Sequence, residues 1–322
     1  MNADTEGSRF KRWKKPLTIG FFLLLIVLFT LLARRIDWSE VLQTLGDFKL
    51  RTLLMAGGLT LCSFLVYASF DLIGRTYVRQ PLRWKQILPV GIISYAFNLN
   101  LSAWVGGIAM RYRLYSRLGV STSNIAKILG LSLATNWFGY MALAGVVFSS
   151  GWVTMPPGWK VSTDALQGIG VLLVLASLGY LAACRFSKKR AWSIKGIEIN
   201  LPSLRMACLQ LALGALNWSL MAAVIFTLLP AKLDYPLVLG VLLISAIAGV
   251  ITHIPAGLGV LEAVFIALMQ HEASRGSLLA GLIAYRAIYF ILPLLIALVM
   301  YLAVEAKAKA LRVKKTPCLT RC

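Results

Sequence analysis

Glu262 and Arg286 carry charge where the sequence offers it little company. Only Asp71 and Glu262 among the acidic residues approach long apolar runs, and Arg286 is the only arginine well inside one, Leu278–Tyr301. A charge at the depth of bilayer hydrocarbon costs upward of about 2.5 kcal/mol, so such groups pair with one another or face a polar cavity. We therefore expect Glu262 to pair with Arg286 or with Arg111, and to form with Arg286 a gating or coupling pair at which protons can exchange. His253, nine residues before Glu262, is a third titratable candidate for that role, against the plainer reading of a histidine satisfied by its surroundings.

A second set of residues suits an anionic headgroup. Asn98 and Asn100 precede Gly106-Gly107, and Arg111 and Arg113 follow, offering charge-assisted hydrogen bonds to a phosphate. Pro255, Gly257 and Gly259 interrupt a later apolar stretch in the same manner. Helices beginning after Gly107 and Gly257 would turn free N–H groups toward the same anion. Plainer readings stand beside these. Arg111, Arg113 and Arg117 fit topology determinants, Asn136 and Asn217 fit hydrogen-bond glue between helices, and Glu262–Arg286 fits a structural pair.

The elements that must position these groups follow from composition. Of 322 residues 59% are hydrophobic and 14% charged, against about 45–50% and 25% in a soluble domain, which excludes both a soluble globular protein and a disordered one. The net charge of +21 would suggest nucleic acid, but the basic residues lie between apolar runs, where the positive-inside rule places them, so no nucleic-acid partner is expected. Apolar runs at 17–33, 53–73, 125–149, 165–184, 206–229 and 278–303 are long enough to span a bilayer. The first follows a basic segment, 1–16, and lacks a cleavage site, so it reads as an uncleaved signal anchor.

Two further stretches, 87–120 and 236–270, are apolar but broken, the first at Gly106-Gly107 and the second around Pro255. Either both span, giving eight helices, or both dip in and return. With both re-entrant, the clusters Arg75–Lys85, Arg185–Arg190 and Lys307–Lys315 share the N-terminal side, which becomes cytoplasmic. The expected fold is an all-α polytopic membrane protein of six spanning helices and two oppositely oriented re-entrant hairpins. A shift of 151 residues lays 17–33 on 168–184, 53–70 on 204–221 and Gly106 on Gly257. That makes 17–150 and 165–303 two inverted repeats, with a basic cytoplasmic tail at 304–322, and puts a site at their interface.

Enzymatic and metal chemistry find no support. His271-Glu272 lacks the second histidine of a zinc motif, no G-x-S-x-G elbow occurs, and the odd cysteine count shows no metal or disulfide spacing. No cofactor or metal is expected, and 304–322 leaves no room for a soluble catalytic domain.

The run from Asn98 through Gly106-Gly107 to Arg111 and Arg113, and the later run from His253 through Pro255, Gly257 and Gly259 to Glu262, resemble the lysylphosphatidylglycerol synthase transmembrane (flippase) domain family, especially its stand-alone inner-membrane members. The resemblance covers nearly the whole chain. It implies a phospholipid translocase of the bacterial inner membrane, moving an anionic or modified phospholipid without lysyl transfer. Two other classes compete: a membrane-embedded lipid-modifying enzyme and a non-transporting scaffold for envelope proteins.

Overall fold

The structure is a computed structural model that describes residues 38–101, 103–155, 162–188, 191–194, 197–230, 233–254 and 257–315. The basic segment 1–16 and the first expected span, 17–33, lie outside the described residues.

Helices account for nearly all of what is described. They are α1 (Trp38–Gly46), α2 (Leu50–Tyr77), α3 (Trp84–Asn100), α4 (Ala109–Arg117), α5 (Thr122–Ser149), α6 (Thr163–Phe186), α7 (Leu204–Leu228), α8 (Tyr235–Thr252), α9 (Val260–Met269), α10 (Arg275–Tyr285) and α11 (Leu292–Lys315). Two π-helical segments, Ala103–Ile108 and Arg286–Ile291, lead into α4 and α11. Serine sets where several helices begin: the side chains of Ser121, Ser162, Ser203 and Ser274 each accept a first-turn N–H that the helix cannot satisfy itself.

Six helical segments among the described residues are long and apolar enough to cross a membrane: Leu50–Tyr77, Thr122–Ser149, Thr163–Phe186, Leu204–Leu228, Tyr235–Thr252 and Arg275–Val304. The protein is an all-α polytopic membrane protein. One departure is a short antiparallel ribbon, β1 (Ala191–Ile194) on β2 (Ile197–Asn200), within the basic connection between α6 and α7. Another is α1, which lies in the expected first outer loop and buries Val41 against Leu279 and Ala280 of α10. The last helix continues to Lys315, beyond the boundary expected at 303.

The centre is built from α2, α5 and α7, with α6 against α5. Gly139 of α5 and Gly214 of α7 meet so closely that a Cβ on either would overlap the other's backbone. Small residues of this kind let helices approach in lipid, where apolar burial alone does not drive association. Polar side chains then join the helices. Ser63 donates to Asn217 Oδ1 at 2.8 Å, and Gln210 links Tyr180 and Thr135 at 2.7 and 3.1 Å, joining α6, α7 and α5. Asn217 is thus the interhelical glue its position suggested.

Both broken stretches fold back on themselves. In the first, α3 ends at Asn100 and the π-helical segment returns along it. The reversal precedes Gly106-Gly107 instead of falling on it. Gly106 presses on the Phe97 carbonyl where no Cβ fits, and a Cβ on Gly107 would lie 2.8 Å from Asn98 Oδ1. The expected helix start after Gly107 is absent, because Ile108 is already helical (φ −75°, ψ −56°), so no free N-terminus faces an anion there. In the second, α8 ends at His253, whose φ is +54°, and the chain turns through Gly257 (φ +56°) and Gly259 (φ +77°) into α9, which packs back on α8. Pro255 lies outside the described residues.

Gly139→Ala should lower the unfolding free energy by about 1–3 kcal/mol, the usual cost of overpacking. Gly179→Ala, with open space around its Cα, is the control and should not lower the detergent melting temperature. Equal melting temperatures for the two variants would show that the Gly139–Gly214 contact is not tight.

Candidate functional site

Arg111 is the first surprise. It is 1% exposed, and its partner Asp71 on α2 is 0% exposed. Arg111 Nε donates to Asp71 Oδ2 at 3.1 Å, Nη2 donates to Asp71 Oδ1 at 3.2 Å and to Ser132 Oγ at 3.3 Å, and Tyr115 OH donates to Asp71 Oδ2 at 2.9 Å. The guanidinium also lies 5.7 Å from the centre of the Tyr67 ring. A carboxylate that accepts from several donors offsets much of the desolvation of both charges. The pair ties α4 to α2 and α5. It leaves Arg111 inside the protein, away from any headgroup. The sequence offered one clue: Asp71 and Arg111 are an acid and a base both stranded beside apolar runs.

Arg286 is placed differently. It opens the π-helical segment after α10 and donates through Nε to Glu262 Oε1, through Nη2 to Glu262 Oε2 at 3.1 Å, and through Nη2 to the Gly257 carbonyl at 2.9 Å. Its guanidinium lies 5.3 Å from the centre of the Phe290 ring. Both side chains are 15% exposed. Of the two partners expected for Glu262, Arg286 is the one it has. Glu262 sits in the first turn of α9, where the helix dipole favours a carboxylate. A π-helical turn carries one residue more than an α-helical turn and is frequent at functional sites.

Arg286 borders a cavity of about 340 Å³, with Glu262 behind it. Its wall includes Tyr67, Tyr95 and Asn98 from α2 and α3, Asn136 and Trp137 from α5, Trp218 from α7, Ser245 from α8, Gly257, and Tyr285, Arg286 and Phe290. Leu133, Trp137 and Val250 line it and are also exposed, so it opens on an apolar flank. Behind the wall runs a buried polar chain. Tyr95 OH meets Tyr289 OH at 2.9 Å, Tyr289 OH meets Ser63 Oγ at 2.6 Å, and Ser63 donates to Asn217. Tyr67 stacks on Tyr95 with ring centres 3.6 Å apart. These tyrosines were not singled out from sequence, where an aromatic in an apolar run is unremarkable.

The remaining expected residues divide. Asn98, Gly257 and Arg286 come together on the cavity wall, with Glu262 behind Arg286. Gly106 and Gly107 serve close packing on α3. Asn100 is engaged by the Ala96 and Phe290 carbonyls at 2.8 and 3.1 Å. Arg113 is exposed, 5.5 Å from the Tyr301 ring centre. His253 is exposed, with Nδ1 3.0 Å from its neighbour's carbonyl at Ile251, and Gly259 caps α9. No cluster of three His, Cys, Asp or Glu side chains that could hold a metal occurs among the described residues.

The family model of the lysylphosphatidylglycerol synthase TM region matches residues 17–297, which take in both hairpins, both ion pairs and the cavity. The chain belongs to this family. It is similar to the inner membrane protein YbhN of Escherichia coli, with 48% identity over 309 residues, 95% of this chain and 96% of that one. It is also similar to an uncharacterized protein of Synechocystis, at 28% identity over 260 residues and 80% of each chain.

Asp71→Asn should strand a buried guanidinium and destabilise the fold by about 3–5 kcal/mol. Membrane abundance and melting temperature should both fall, and Arg111→Gln in the same chain should restore part of each. The double variant Glu262→Gln, Arg286→Gln should likewise assemble better than either single variant. Additive losses in either double variant would show that the paired residues act independently.

Proposed function

We propose that this protein moves phospholipids between the leaflets of a bacterial inner membrane, the headgroup passing through the cavity beside Arg286 while the acyl chains stay in lipid. The observation that carries the reading is the placement of Arg286, partly exposed and paired with Glu262 behind it, on the wall of a cavity open toward an apolar flank. Its volume lies within the range of about 300–1,000 Å³ common to small-molecule sites. A polar headgroup crossing there would avoid the hydrocarbon that otherwise excludes it.

In this reading the spans are 17–33, α2, α5, α6, α7 and the α10–α11 helix, with α3–α4 and α8–α9 as re-entrant hairpins of opposite sense. Both termini are cytoplasmic. The two halves form an inverted repeat, a construction whose sites lie at the repeat interface. The packing of α2 on α7, helices paired by the 151-residue shift, supports it. Glu262 and Arg286 hold the second hairpin to the π-helical segment, and breaking their contact frees that hairpin to open the cavity. The reading contains no chemical step.

Two measurements test it. Cysteines replacing the exposed Ser116 and Ser274 in a cysteine-free background should react with impermeant reagents from opposite sides of the membrane. Same-side labelling would overturn the inverted arrangement. Purified protein in liposomes should speed the movement of acyl-labelled phospholipids at least about tenfold over protein-free vesicles, equivalent to about 1.4 kcal/mol off the barrier. A chemically altered lipid would instead show an enzyme, and neither outcome would favour a scaffold.

A further inference from the structure

We propose that the cavity accepts a zwitterionic headgroup carrying a phosphodiester and a primary ammonium, as in phosphatidylethanolamine, in preference to an anionic headgroup. The inference rests on the translocation reading and names the lipid class for the same cavity.

The argument is one of charge. Arg286 is the one charged residue on the wall among the described residues, and Glu262 already neutralises it through two contacts. Arg111, which would have made the site positive, is held by Asp71 inside the protein. The site is therefore net neutral. An anionic headgroup that took Arg286 would leave Glu262 without a partner, so two negative groups would share one cation away from bulk water. An unpaired charge in such surroundings is strongly unfavourable. A zwitterion avoids this. Its phosphate draws Arg286 from the wall, its ammonium reaches Glu262 behind it, and one ion pair is replaced by two. No net charge is left over in the empty or the occupied state.

The lining fits both ends of such a headgroup. Tyr67, Trp137, Trp218 and Phe290 present aromatic rings, against which ammonium groups are stabilised on leaving water. Tyr285, also on the wall and next to Arg286 in the chain, is 1% exposed, and its phenol oxygen has no hydrogen-bond partner among the described residues. Buried hydroxyls are almost always paired. A phosphate oxygen drawn to Arg286 would supply the missing acceptor. Glu262 needs hydrogen-bond donors to replace those of Arg286. A primary ammonium has three, whereas a quaternary ammonium has none.

The test uses the full-length protein and separates headgroup choice from transport. Short-chain phosphatidylethanolamine, phosphatidylglycerol and phosphatidylcholine are titrated against tryptophan fluorescence in detergent, Trp137 and Trp218 being on the wall. Phosphatidylethanolamine should bind about tenfold more tightly than either of the others. Glu262→Gln should erase that preference or turn it toward phosphatidylglycerol, since the site becomes net positive, while Glu262→Asp should keep it. Equal or tighter binding of phosphatidylglycerol to wild type, an unchanged preference in Glu262→Gln, or no binding at all would overturn the inference. The same three lipids, acyl-labelled, are then followed in proteoliposomes. Preferential binding with no movement would overturn translocation and leave the headgroup assignment standing. Equal movement of all three would do the reverse.

Discussion

A guanidinium cannot be left alone in an apolar interior, and this protein is arranged around where two of them find carboxylates. Arg111 reaches Asp71, which brings the returning arm of the first hairpin onto α2 and α5. Arg286 reaches Glu262, which brings the second hairpin onto the π-helical segment. Each hairpin is largely apolar and reverses direction between its two arms. Packing alone leaves several arrangements of such a segment close in energy. The ion pairs select one, because every alternative exposes a charge to hydrocarbon.

The two pairs differ in the surroundings they leave for themselves. Asp71 and Arg111 are sealed, and Tyr115 and Ser132 complete their hydrogen bonding, so opening that contact has no compensating partner at hand. Glu262 and Arg286 keep some exposure, and Arg286 borders a cavity. One hairpin is therefore tied by a sealed contact and the other by a partly exposed one. Behind the cavity, Tyr289 of the same π-helical segment as Arg286 meets Ser63 of α2, which donates to Asn217 of α7.

Much of this was legible in the sequence, for physical reasons. Hydropathy reports which segments avoid water, so the long apolar runs within the described residues correspond to helices of matching length. The rarity of charge in apolar stretches narrowed the partner of Glu262 to Arg286 or Arg111, and the structure has Arg286. What hydropathy does not report is facing. Asp71 and Arg111 each stood near the end of an apolar run, and nothing in either run shows that the two sides are turned toward each other. The Gly106-Gly107 pair illustrates a second limit. Glycine marks both chain reversals and close contacts, and here the contact with the Phe97 carbonyl, not the reversal, accounts for it. The π-helical segments have no compositional signature at all, since the extra residue per turn is imposed by what the helix must reach.

The meeting of Gly139 with Gly214 has a mechanical meaning as well as a steric one. Where side chains interdigitate, each knob must climb out of its hole before two helices can turn on each other. Backbone resting on backbone has no teeth. Such a contact opposes closer approach, and the Gln210–Thr135 and Trp218–Asn136 hydrogen bonds beside it supply the grip it lacks. It joins α5, in the half of the chain with the sealed ion pair, to α7, in the half with the partly exposed one. The protein is thus joined at its centre by a contact that sets distance and by hydrogen bonds that set angle.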